Sequence, residues 1–224
     1  MVKGIWVTLL TGREKGYMAG ISVLASTLRS VGSEYPLAVM ATVDVPQETR
    51  TFLKGRGIVI IDVEYMKLPD GAGHTTQYGR FNDTWTKLRV FDLHDYERAV
   101  FLDSDMIVMR NMDELMQLEL PKDWIAAAHT CACNPYKSYF YPEDCTPATC
   151  GHTAVESPTT PPPEIKPDSP RAHGLLNSGL VVLTPSQELF TSLSEYFTNY
   201  PDFSKFRDQE LLAEYFQGKW KPLN

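Results

Sequence analysis

Two aspartates stand inside an apolar run, Ala99-Val100-Phe101-Leu102-Asp103-Ser104-Asp105-Met106-Ile107-Val108. Burying two unpaired carboxylates costs several kcal/mol apiece, so the run calls for a counter-charge. A divalent metal is the natural one. In an extended segment an i, i+2 spacing sends both side chains to one face, where two carboxylates share a cation. A hard ion such as Mn2+ or Mg2+ takes oxygen ligands, commonly one or two carboxylates together with substrate phosphates. Asp103 and Asp105 are therefore candidate metal ligands, and the ligand they imply is phosphorylated. The plainer alternative is that they end a strand and cap a turn, as Asp often does.

Three other places carry polar groups where the pattern expects apolar ones. Asn177-Ser178-Gly179 interrupts the strand-like run from Gly174 to Leu183. Gly in a strand marks either close approach of a ligand or a β-bulge, and Asn and Ser supply hydrogen bonds. Lys87 lies off the stripe formed by Trp85, Leu88 and Phe91. Asp208-Gln209 opens the last helical pattern, where an Asp can also be only a cap.

The elements that must position these groups alternate. Gly4–Leu10 reads as a strand buried on both faces, and Met18, Ile21, Leu24, Ala25, Leu28 and Val31 as one face of a helix. Leu37–Thr42 is a second strand, Pro46–Lys54 a helix and Ile58–Val63 a third strand. Residues 100–102 form the strand that ends at the two acids, followed by a short helix over 112–116 and a strand over 124–128. Thr184-Pro185-Ser186-Gln187 has the form of a capping box, with Leu189, Phe190, Leu193 and Phe197 on one helical face. Alternating β and α predicts an α/β domain with a mainly parallel central sheet and helices on both faces, whose ligands bind beyond the strands' carboxyl ends.

With 224 residues, 43% of them hydrophobic, the chain is read as one soluble domain, 1–224. A net charge of −7 argues against nucleic acid and anionic membrane as partners. Val2–Leu10 is too short to span a bilayer and lacks the flanks of a signal peptide, so the expected location is cytoplasmic. From Thr130 to Ala172 the composition shifts to nine prolines and all four cysteines, which reads as an insertion over one face of the sheet. Cys131, Cys133, Cys145 and Cys150, with His129 and His152 nearby, admit a zinc knot, reduced packed thiols or disulfides.

Taken in order, five motifs resemble those of the retaining glycosyltransferases of family 8, the family of glycogenin and galactinol synthase. They are Val7-Thr8-Leu9-Leu10-Thr11 with Tyr17, Thr86-Lys87-Leu88, Phe101-Leu102-Asp103-Ser104-Asp105, Asn177-Ser178-Gly179 and Asp208-Gln209. The Cys- and Pro-rich insertion is similar to that of fungal members labelled galactinol-synthase-like. The resemblance implies a nucleotide-diphospho-sugar transferase fold, Rossmann-like and of GT-A type. It further implies a UDP-sugar donor, UDP-galactose or UDP-glucose, Mn2+ (or Mg2+) on Asp103 and Asp105, and an acceptor that is inositol, a glucan or a protein Tyr. Leu9, Thr11 and Tyr17 would hold uracil and ribose, Ser104 the ribose, and Lys87 and Arg80 the sugar or phosphates. Asn177, Asp208 and Gln209 would line the sugar pocket, with Ser178 and Gly179 beside Asn177 also binding the donor, Lys87 and Gln209 catalytic, and Asp208 the carboxylate placed to act as nucleophile or to orient the sugar. A homodimer is the assembly it leaves open.

Two departures stand out. The family's His-x-x-Gly-x-Lys-Pro-Trp segment has no counterpart, since Lys221-Pro222 follows the last helix directly, and Lys205 stands where glycogenin carries an Asp. The expectation is that the end of the domain is missing and activity weakened. Three alternatives stay open: an inactive UDP-sugar-binding remnant, a self-glucosylating protein, and a zinc-stabilised interaction module.

Overall fold

The computed structural model describes residues 2–12, 16–67, 84–139, 141–155, 157, 160–163, 165–200 and 208–223. Arg80 and Lys205 lie outside the described residues. One seven-stranded sheet runs through the molecule, built from β1 (Gly4–Leu10), β2 (Leu37–Ala41), β3 (Val59–Asp62), β4 (Arg98–Leu102), β5 (Ile125–His129), β6 (Leu176–Leu183) and β7 (Trp220–Leu223). The order is β3-β2-β1-β4-β6-β5-β7. β6 alone runs against its neighbours, so the sheet is mainly parallel, as expected, with a single reversed strand.

Side-chain alternation along the strands divides the core into two layers. On one face Ile5, Val7, Met40 and Phe101 pack beneath residues 84–92, α3 (Gln187–Thr198) and α4 (Asp208–Tyr215). On the other, Trp6, Val39, Val100 and Leu102 meet α1 (Tyr17–Ser30) and Leu53 of α2 (Gln47–Lys54). Ile21, Leu24, Ala25 and Leu28 are the buried face of α1, as their spacing predicts.

Three elements differ from the sequence reading. Thr84–Asp92 is a 3-10 helix, and the three-residue steps from Trp85 to Leu88 to Phe91 match its three residues per turn. The cap of α3 falls two residues later than Thr184: Ser186 is extended and its hydroxyl accepts from Leu189 N–H at 3.1 Å. Trp220–Leu223, to which the sequence reading assigned no element, is β7, parallel to β5. It holds Pro222, which a sheet tolerates on an edge strand.

Between β5 and β6 the described residues form no α-helix or strand, only turns and a 3-10 turn at Arg171–Gly174. The base of this long connection is closed where Thr130 donates from N–H to Leu175 O at 2.9 Å and from its hydroxyl to Leu176 O at 2.7 Å. No helix among the described residues is long and apolar enough to cross a membrane.

Gly20, in the first turn of α1, lies against the turn that carries the two acids. A Cβ there would lie 2.3 Å from Ser104 O, a backbone atom that cannot swing aside. Gly20→Ala is therefore expected to lower the unfolding free energy by about 1–3 kcal/mol through overpacking, against the gain in helix propensity. Urea denaturation measures it, and unchanged or higher stability would contradict the close approach.

Candidate active site

The carboxyl ends of β1 and β4 lie side by side, because the two strands pair in parallel with Val7 opposite Phe101. Continuing that register brings Leu9 beside Asp103, so Leu9, Thr11, Ser104 and Asp105 share one edge of the sheet, with Tyr17 exposed at the start of α1. The extended spacing expected to point both acids the same way stops at Leu102. Residues 103–106 form a turn closed by Met106 N–H to Asp103 O at 3.3 Å, which buries Ser104 and leaves Asp105 exposed.

β6 supplies the opposite wall through a defect in its pairing. Against β5 the register jumps from Ala127–Val181 to Ala128–Asn177, so Ser178, Gly179 and Leu180 have no β5 partner. On the β4 side the ladder continues, Leu102 facing Leu180 and Asp103 N–H donating to Gly179 O at 2.8 Å. The bulge frees Ser178 to turn inward. Asn177 stays exposed, its Oδ1 accepting from Gly179 N–H at 2.9 Å.

Lys87, from the 3-10 helix, is the centre of the cluster. Its Nζ lies 2.9 Å from Asp208 Oδ2 and 3.2 Å from Asp103 Oδ1, and it donates to Ser178 Oγ at 3.3 Å. Ser178 Oγ donates in turn to Asp208 Oδ2 at 2.7 Å, and Ser178 N–H to Gln209 Oε1 at 3.3 Å. The side chains of Lys87 and Asp208 are 11% and 7% exposed, that of Asp103 41%. One cation thus serves two carboxylates, one buried and one facing solvent. Phe101 lies beneath, its ring centroid 5.1 Å from the ammonium.

Burial alone would pull the Lys87 ammonium down, but Asp208 and Asp103 together hold it above the ordinary lysine value, so it is protonated throughout the neutral range. Burial pushes the Asp103 carboxyl up; Lys87 pulls it back, while the charges of Asp208 and Asp105 add to the push. Asp103 Oδ2 lies 3.2 Å from where a Cβ on Gly179 would stand, so glycine keeps that space open.

The structure therefore brings together Lys87, Asp103, Ser178, Asp208 and Gln209, with Asn177 and Gly179 at the rim. Sequence reasoning missed Gly20, whose signal was a glycine inside a helical pattern, and Phe101 as a floor for the ammonium. His129 does not join the cysteines: its ring packs against Trp220 and His173, at 5.2 and 6.2 Å between centroids.

The mostly parallel seven-stranded sheet with its helices is the fold of the GT-A type glycosyltransferases. The galactosyltransferase LgtC, solved in complex with donor and acceptor sugar analogues, superposes with a TM-score of 0.64 at 18% identity, covering 98% of this chain and 73% of that one. Core-mannan synthase A of Aspergillus fumigatus, solved in an Mn/GDP form, gives a TM-score of 0.52 at 10% identity, over 100% of this chain and 73% of that one. The family model for Glycosyl transferase family 8 matches residues 9–224, and the chain belongs to that family. Galactinol synthase 6 of Arabidopsis thaliana is 31% identical over 230 residues, 99% of this chain and 63% of the relative. The chain thus spans less than two thirds of that relative's length.

Removing the shared cation tests this geometry. Lys87→Met leaves Asp208 buried without a counter-charge and should cost about 3–5 kcal/mol of stability. Adding Asp208→Leu to that variant should restore much of it, because no buried charge is then left unpaired. Denaturant titrations of the two variants measure both effects.

Proposed function

We propose that this chain transfers a hexose from a UDP-sugar to an acceptor hydroxyl with retention at the anomeric carbon. The observation that carries the reading is a permanently charged Lys87 held between Asp103 and Asp208 at the strand ends of a family 8 domain. In such a transfer the bond from the anomeric carbon to the diphosphate breaks, and its electron pair leaves with UDP. The acceptor oxygen forms the new bond and releases its proton. Negative charge grows on the diphosphate while the sugar gains oxocarbenium character, so fixed positive charge beside the phosphates and carboxylates beside the sugar both favour the transition state.

The residues present fit a hard divalent cation. Asp103 turns one oxygen to Lys87 and has its second over the open space at Gly179, and Asp105, two residues on, is exposed. Asp103 and Asp105 would hold Mn2+, which supplies Lewis-acid stabilisation of the departing diphosphate. The Mn/GDP form of core-mannan synthase A supports that choice of ion.

On this reading Lys87 stands by the leaving group, and Asn177 and Gln209 reach toward the sugar. Tyr17, exposed at the start of α1, offers a ring on which the base would stack. Asp208 is buried, with Oδ2 held by both Ser178 and Lys87, which favours a positioning role over attack on the sugar. The galactinol synthase relatives favour UDP-galactose as donor and inositol as acceptor.

The expected outcome is Mn2+-dependent release of UDP from UDP-galactose that increases when myo-inositol is added. Lys87→Ala should lower kcat by about 100- to 1,000-fold, the loss typical of removing one preorganised charge-stabilising donor. The exposed phenols of Tyr136 and Tyr139 favour self-glucosylation as a second reading. Intact mass rising in hexose steps with UDP-glucose and no added acceptor would select it, whereas no turnover of either donor would contradict both readings.

A further inference from the structure

Among the described residues, the connection between β5 and β6 has a small core of its own. Its buried hydrophobic cluster consists of Ala132, Cys145, Cys150 and Ala172, with Cys133 packed against it. Four small side chains bury too little apolar surface to order a segment of this length, since burial yields only about 25 cal/mol per Å2. Ion pairing adds one clamp, in which Arg171 donates to both oxygens of Asp144 at 2.8 and 2.7 Å. That clamp is half exposed, and surface pairs of this kind contribute about 1 kcal/mol or less.

The cysteines are arranged more tightly than packing requires. The Sγ atoms of Cys131, Cys133 and Cys150 all lie within 4.8 Å of one another, with Cys131 and Cys133 at 3.3 Å. Zinc–thiolate bonds of about 2.3 Å at tetrahedral angles separate sulfurs by about 3.8 Å, so the triangle is near the size one ion needs. The backbone is set for it as well: Ala132 N–H, between the first two cysteines, donates to Cys150 Sγ at 3.1 Å. That bond brings the third thiol across eighteen residues to the Cys131-x-Cys133 turn and offers a donor to a charged sulfur. Cys145 takes no part. It is buried beside the trio, and Arg171 Nη2 contacts its sulfur at 3.5 Å.

We infer that Cys131, Cys133 and Cys150 form a binding site for a soft divalent cation of the zinc class, distinct from the acid pair at the strand end. Three thiolates select zinc over the hard ions that carboxylates prefer, and each thiol gives up its proton to solvent when the metal binds. No fourth His, Cys, Asp or Glu among the described residues lies with the group, so the three thiolates are the ligands the described residues offer. The ion's role is to fasten the insertion. Cys131 directly follows Thr130, whose two hydrogen bonds clasp the start of β6, the strand that carries Ser178.

The test is metal analysis of the full chain purified with reductant and without chelator. One equivalent of zinc per chain is expected, retained in Asp103→Ala and in Cys145→Ser and lost in Cys133→Ser and in Cys150→Ser. Should those last two variants not fold, the wild type stripped by chelator and titrated with Co2+ gives the same answer. An intense sulfur-to-metal charge-transfer band saturating at one equivalent supports the three-thiolate set. Absence of metal from protein with all four thiols titratable would overturn the site, and so would fewer than four titratable thiols in protein purified and denatured without reductant, which would show a disulfide. Loss of the metal in Asp103→Ala would assign the ion to the acid pair instead.

Discussion

A lysine held between two carboxylates in a mostly dry crevice is an unstable arrangement unless every partner is fixed by its own element. Lys87 is delivered by a 3-10 helix, Asp103 by the end of β4, Ser178 by a bulge in β6 and Asp208 by the first turn of α4. Each of those elements also contributes to the buried layer formed by Trp85, Leu88, Phe101, Val181, Leu211 and Leu212. Core packing thereby meets the cost of desolvating the charges, and the charges fix which strand ends face one another. The reversed direction of β6 matters for the same reason. It runs past the end of β4, so the ladder reaches Gly179 and the backbone of Asp103 is held in place.

The asymmetry of the two carboxylates gives the cluster its chemistry. Asp208 is sealed beneath Ser178 and Lys87, while Asp103 shares the same ammonium and remains open on one side. A group that neutralises the first carboxylate permanently and the second only in part leaves Asp103 able to meet a cation. Gly20 and Gly179 serve this geometry by absence: a side chain at either would press on the turn from below or occupy the space over Asp103.

Much of this was legible in the sequence because the signals were local. The apolar strand runs, the i, i+3, i+4 face of α1 and the position of the acids at a strand end are all set by near neighbours in the chain. What was not legible depended on long-range pairing. The direction of β6 is not encoded in its own residues, since an apolar run reads alike in either sense. The strand at Trp220–Leu223 went unread because four residues holding a proline carry no alternation of their own, and only the pairing with β5 at the sheet's edge makes them a strand. The i, i+2 argument assumed an extended chain through Asp105, whereas the turn against Gly20 ends it at Leu102. Ser178, read as a donor-binding residue, links Lys87 to Asp208 in the structure, a place only the bulge explains.

The central claim is that the open side of Asp103 is a donor site in which a divalent cation and a nucleoside diphosphate bind together. Calorimetric titration of UDP into the wild type and into Asp103→Ala, each with and without Mn2+, addresses it most directly. The account predicts binding by the wild type that requires Mn2+ and is abolished in the variant. Binding of equal strength with and without the metal, or binding unaffected by loss of Asp103, would contradict it.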